Sequence, residues 1–153
     1  MTQGYNEIRQ ATLAWADAFC APMPAGLTEL LRLADADIHF TDPFNDVRGR
    51  DGLAAILTDM TERCVEPRFV VLDVAASERA GYIRWRFTFR PVKSPDQDWE
   101  FTGMSEIHVD PCGLITAHHD HWDSASQLLA KLPLIGWPVR RIARSLSVTP
   151  PRR

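Results

Sequence analysis

The chain has 153 residues and a mass of 17.3 kDa, with 45% hydrophobic and 24% charged residues. That is enough apolar material for one buried core and too balanced a composition for a disordered chain. No run approaches the roughly 18 uninterrupted apolar residues of a membrane-spanning helix. The opening MTQGYNEIRQ has neither the basic start nor the apolar stretch of a secretory signal, so a cytoplasmic globular protein is expected. The net charge of −3 is unevenly spread: residues 1–130 carry −9, and residues 131–153 carry +6 without a single acid. A body that repels phosphates excludes a nucleic-acid binder. Cys20, Cys64 and Cys112 are odd in number and lack C-x-x-C spacing, which excludes a disulfide framework and a structural zinc site.

Ile8, Ala11, Trp15, Ala18 and Phe19 recur at helical spacing after Asn6, predicting an amphipathic helix from about residue 7 to 20 that the Pro22–Pro24 stretch ends. Leu27, Leu30, Leu31 and Ala34 predict a second, shorter helix. Ile38 to Asp42 alternates as a short strand and stops at Pro43. Asp51 is placed to cap a third helix with Leu53, Ile56, Leu57, Met60 and Cys64 as its apolar stripe. From Arg68 the period changes to 2, and strands are predicted over Phe69–Ala75, Tyr82–Arg90, Trp99–Val109 and Leu114–Trp122. These four form a meander, giving an α+β fold in which three N-terminal helices pack on one face of an antiparallel sheet. The domain is expected to span residues 1–130, with 131–153 as a basic amphipathic tail. In that tail Ser124–Leu132 predicts a short helix, and Pro138 is placed as the first residue of another.

Two concentrations of residues can carry chemistry. Asp42 shares a strand face with Ile38 and Phe40, and Pro43 holds its backbone extended, so its carboxylate could serve as a buried base. Equally, Asp42 could open the turn Asp-Pro-Phe-Asn through its own backbone hydrogen bonds. The second concentration is His118 to Asp123. Period 2 puts His118, Asp120 and Trp122 on one face and His119 and His121 on the other, so the three imidazoles cannot converge on a metal. No metal and no cofactor is expected. His118 beside Asp120 reads as an acid/base pair in an apolar cavity, or as a satisfied core hydrogen bond.

Thr41-Asp42-Pro43-Phe44, Arg48-Gly49-Arg50-Asp51-Gly52-Leu53 opening a helix, Gly113-Leu114-Ile115 and the His-x-Asp-x-Trp-Asp ending together resemble the SnoaL-like branch of the nuclear transport factor 2-like superfamily. This group includes ketosteroid isomerases, polyketide cyclases, scytalone dehydratase and limonene epoxide hydrolase. The resemblance spans about residues 5–125 and implies a cone-shaped half-barrel. It implies that Asp42 stands where the isomerases have their proton-shuttling base and Asp120 where the cyclases and the epoxide hydrolase have a catalytic aspartate. The isomerase oxyanion hole, a tyrosine and a protonated aspartate, falls by alignment on Trp15 and Ser105. Neither is a strong acidic donor, so steroid isomerisation is not what this site is built for.

Two functions follow. One is an enzyme on a small hydrophobic carbonyl compound, with Asp42 or Asp120 as base, His118 orienting or relaying the proton, and Trp15, Phe40, Trp85, Phe87, Phe101, Ser105 and Trp122 around the substrate. The other is a binding or dimerisation domain with the same pocket. Both aspartates at one cavity would favour catalysis; either one capped by backbone amides would favour binding.

Two surfaces point to partners. Tyr82, Arg84, Arg86, Thr88 and Arg90 beside Glu100, Thr102, Met104, Glu106 and His108 are expected to set basic against acidic residues across the sheet, and the resemblance implies a homodimer through such a face. The tail is expected to fold back over the domain, as a lid or dimer contact, in preference to lying weakly on a membrane surface.

Overall fold

The structure, a computed structural model, describes residues 2–148, with only the backbone for Thr2 and Gln3. Arg152 and Arg153 of the tail lie outside the described residues. The chain falls into two compact units, Met1–Trp122 and Asp123–Arg153.

In the first unit α1 (Thr2–Cys20) presents Thr12, Trp15, Ala16 and Ala18 to the core at helical spacing. α2 (Ala25–Leu33) buries Gly26 and Leu30; a Cβ on Gly26 would stand 2.8 Å from the carbonyl oxygens of Ala18 and Ala21, so only glycine lets the two helices approach. α3 (Gly49–Arg63) buries Leu53 and Leu57. Arg48, not Asp51, is its cap residue: Gly49, at φ +78°, turns the chain into the helix earlier, leaving Asp51 in the first turn, where its charge complements the helix dipole.

The strands are β1 (Ala34–Thr41), β2 (Asp46–Arg48), β3 (Cys64–Ala76), β4 (Gly81–Pro91), β5 (Trp99–Val109) and β6 (Ile115–His121). They form one open sheet in the order β2-β1-β6-β5-β4-β3. The long strands are the meander that period 2 predicts. β1 departs from a wholly antiparallel sheet, for it pairs parallel to β6, aligning Phe40 with His118 and Thr41 with His119. β2, only three residues long, had no periodic signal. Register shifts between Val65 and Arg68, where Glu66 has φ 52°, and between Val71 and Asp73 break the β3 ladder, and such bulges bend and twist a sheet.

α1 lies against β3, β4 and β5. It sits so close that a Cβ on Gly81 would fall 1.8 Å from Thr12 Oγ1. Trp15, Leu30, Ile38, Leu53, Ile107 and Ile115 are fully buried. On the β4–β5 ladder the direct partners of Arg84 and Arg86 are Met104 and Thr102, and Tyr82 and Thr88 face Glu106 and Glu100. The opposite charges therefore lie on diagonals, because the antiparallel register is offset by one pair from a basic-on-acidic match.

The second unit opens on Asp123, whose Oδ1 accepts from the Ser126 amide at 3.0 Å and caps α4 (Ser124–Gln127). The single helix expected to Leu132 is instead α4 followed by a 3-10 turn over Leu129–Lys131. α5 spans Gly136–Leu146. Pro138 is its third residue, still within the first turn, where an amide lacks an intrahelical acceptor and proline is tolerated. Among the described residues no helix is long and apolar enough to cross a membrane.

Candidate active site

β6 alternates as its sequence dictates, turning His118 and Asp120 to the α1 side of the sheet and His119 and His121 to the other. Register supplies their neighbours: Ser105 of β5 is directly opposite Asp120, and Ile83 of β4 is opposite Ser105, two residue pairs from Trp85 and Gly103. Gly103 has no side chain, so the Trp85 ring lies over it; a Cβ there would stand 2.5 Å from the ring. The indole thereby reaches Ser105, donating to its Oγ at 2.9 Å. Ser105 in turn donates to Asp120 Oδ1 at 2.5 Å.

The opposite end is built from α1. Trp15 Nε1 donates to His118 Nδ1 at 2.9 Å, and His118 Nε2 lies 2.8 Å from the same Asp120 Oδ1. An indole nitrogen can only donate, so Nδ1 must be the acceptor and Nε2 must carry the hydrogen. His118 is thus assigned as the neutral Nε2–H tautomer, donating to Asp120. The five side chains form a directed chain in which Trp15 feeds His118, Trp85 feeds Ser105, and both lines end on one oxygen. Oδ2 of Asp120 receives no donor among the described residues.

Asp120, His118, Ser105 and Trp85 line a cavity with Ala16, Phe19, Phe69, Val71 and Ile83, of about 20 Å³, room for a single water. Ser105 and His118 are buried at 2% and 3% exposure, while Phe19 and Phe69 are half-buried and meet edge to face with centroids 5.7 Å apart. The floor is therefore polar and closed, and the rim is aromatic.

Of the residues expected around a substrate, Trp85 and Ser105 line this cavity. Trp15 is fully buried, supporting His118 from behind, and Phe40 packs on the His118 ring with centroids 4.9 Å apart. Phe87, Phe101 and Trp122 stand apart from the lining: Phe87 stacks on Phe69, and Phe101 stacks on Trp122 with centroids 4.9 Å apart. Asp42 also lies outside the lining. Its Oδ1 accepts from the amides of Phe44 and Asn45 at 2.7 and 2.8 Å and its Oδ2 from Asn45 Nδ2 at 2.8 Å, the Asx-turn geometry that the Asp-Pro-Phe-Asn sequence allows. Both oxygens are occupied in the turn, and Asp120 alone stands at the cavity. The lining residues that sequence reasoning passed over are Ala16, Phe19, Phe69, Val71 and Ile83. Phe19 is one helical turn beyond Trp15 on the same stripe, which was the available signal.

The opposite face of the sheet gathers the other imidazoles. His119 Nδ1 bonds Thr41 Oγ1 at 2.7 Å, His39 bonds Asp46 at 2.7 Å and His108 bonds Glu106 at 2.8 Å. Burial, with the neighbouring His39 and His108, holds the His119 pKa below the ordinary histidine value, against a smaller opposing effect of Glu106. Among the described residues no three metal-binding side chains cluster closely enough to hold an ion.

The first unit is thus a curved open sheet packed on an N-terminal helix, with a carboxylate and an imidazole from its last strand at a small cavity. The SnoaL-like domain family matches residues 12–118, and the chain belongs to that family. No curated protein sequence matches the chain. Solved structures carry the same fold. A nuclear transport factor 2-like protein of unknown function from Burkholderia pseudomallei is 16% identical over 78% of this chain and 93% of its own, with a TM-score of 0.67. An LEH-like epoxide hydrolase from Mycobacterium tuberculosis is 18% identical over 98% of this chain and 100% of its own, at 0.66. A protein of ketosteroid isomerase-like fold from Catenulispora acidiphila, in complex with trimethylamine, is 15% identical over 92% and 98%, at 0.67.

Proposed function

We propose that the chain is a SnoaL-like enzyme of isomerase, cyclase or lyase type in which Asp120 is the general base toward a small, largely apolar carbonyl compound. The observation that carries this reading is the asymmetry of the Asp120 carboxylate in the cavity lining: among the described residues Oδ1 holds two protein donors and Oδ2 none. Two fixed donors on one oxygen orient the carboxylate and leave the other oxygen to take a proton. His118, with one nitrogen occupied by Trp15 and the other by Asp120, positions the base and does not relay the proton.

The donors also restrict the substrate. The Trp15 N–H is spent on His118 and the Ser105 O–H on Asp120, so neither is left to stabilise an enolate oxygen. The fitting substrate carries its own stabilisation, a C–H flanked by two carbonyls whose anion is delocalised within the ligand. Its reacting carbon takes the place of the water-sized space at Asp120, with the Phe19–Phe69 pair parting to admit the rest of the molecule.

A denaturation-shift screen of 3-oxo esters and cyclic diketones, followed by turnover of each stabilising compound with wild type and Asp120→Asn, tests this. Turnover lost in the variant with binding retained supports the base; binding without turnover in wild type supports the second reading, a non-catalytic binding domain. That reading is favoured by one observation, the engagement of Asp42 by backbone amides.

A further inference from the structure

The tail unit carries an unusual share of the chain's exposed apolar surface. Leu134, Ile135, Trp137, Ile142, Leu146 and Val148 are all exposed, Ile142 at 60% and Leu146 at 79%. At about 100° per residue, Val139, Ile142, Ala143 and Leu146 fall along one side of α5, and Arg140, Arg141 and Arg144 along the other. The Arg141 guanidinium lies over the Trp137 ring, 5.8 Å from its centroid. Trp137, the three arginines and Ser145 together line a shallow hollow. After Asp123 the sequence contains no acid to neutralise these charges.

We propose that α5, with the apolar Leu132–Trp137 segment before it, docks on an anionic lipid surface. The apolar side enters the boundary between headgroups and acyl chains, Trp137 sits at headgroup level, and the arginines engage lipid phosphates. Charge complementarity selects this occupant: a second copy would bring together two acid-free segments of like charge, whereas a bilayer offers apolar depth and negative charge at once. With only three arginines the attachment is reversible and peripheral. The competing occupant, the acidic body of the same chain, predicts different behaviour in the same experiment.

The test is flotation of the full chain with vesicles of phosphatidylcholine containing phosphatidylglycerol, and with phosphatidylcholine alone. The protein floats with the anionic vesicles only, and the floating fraction falls about tenfold or more as added salt screens the charges. Arg141→Glu with Arg144→Glu abolishes flotation, as does Ile142→Ser with Leu146→Ser, while the melting temperature stays that of wild type. Absence of flotation with anionic vesicles, or flotation indifferent to both double variants, overturns the proposal. So does a fall in melting temperature on Ile142→Ser with Leu146→Ser in a protein that does not float, which would place the helix on the body.

Discussion

The indole N–H of Trp15 and the Nδ1 of His118 are 2.9 Å apart in the buried core, contributed by positions 103 residues apart in the chain. Because the indole cannot accept, this contact fixes the histidine tautomer, and the tautomer fixes which atom faces Asp120. Trp15→Phe deletes the donor and one ring of the indole, leaving Nδ1 buried and unpartnered beside a small cavity. A loss of about 1–3 kcal/mol in unfolding free energy is expected by urea denaturation. Nitrogen NMR of the wild type should show His118 protonated at Nε2 alone; a proton on Nδ1 would contradict the assignment.

Gly103 is the space that the Trp85 ring occupies. In Gly103→Ala the new methyl meets that ring at 2.5 Å and the Trp122 Cβ at 2.8 Å. Overpacking of this kind costs about 1–3 kcal/mol, and the displaced indole loses Ser105. Denaturation and near-ultraviolet circular dichroism should both report the change; an unaltered aromatic spectrum would show that Trp85 is not so confined.

Asp42→Ala removes the acceptors of two backbone amides and of Asn45 Nδ2 and should destabilise by about 1 kcal/mol. Asp42→Asn, able to keep the turn, should be close to wild type in both stability and turnover. A collapse of turnover in Asp42→Asn would restore Asp42 as the base and displace Asp120.

Periodicity made the meander legible, because β4 and β5 alternate residue by residue, and it placed His118 and Asp120 on one face before any coordinates. It could not show that β1 runs parallel to β6, since strand order is a long-range property with no local pattern. Asp42 is the instructive case. Its position beside Ile38 and Phe40 reads as a buried carboxylate, yet Pro43 and Asn45 offer a local hydrogen-bonding solution that wins over burial. Trp15 and Ser105 could be named as neighbours of the site, but the direction of their hydrogen bonds depends on register between β4, β5 and β6. Phe19 shares the helical stripe of Trp15, but that stripe marks it and Phe69 only as apolar contacts, because nothing in sequence separates a rim from an interior.

The pKa of His119 is held down chiefly by burial, then by His39 and His108. The unfolded chain therefore binds a proton there at a pH where the folded protein does not, and stability must rise with pH across that window. This contribution is complete above the ordinary histidine value of about 6.5 and is lost as the pH falls through the folded pKa. Urea midpoints taken from neutral to mildly acidic pH should fall, and His119→Asn should flatten the fall. An equally steep pH dependence in the variant would assign the effect to other groups.

Hydrogen–deuterium exchange at the activated carbon of 2-substituted 3-oxo esters in deuterated water, followed by NMR with the uncatalysed rate subtracted, reads proton abstraction by Asp120 whatever the eventual product. For a compound that stabilises the protein, wild type should accelerate the exchange. Asp120→Asn, whose Oδ1 can still accept from Ser105 and His118, should bind the compound and lose about 10²–10⁴-fold of that acceleration. Exchange that persists in Asp120→Asn, or a bound compound whose exchange wild type does not accelerate, would contradict Asp120 as the base.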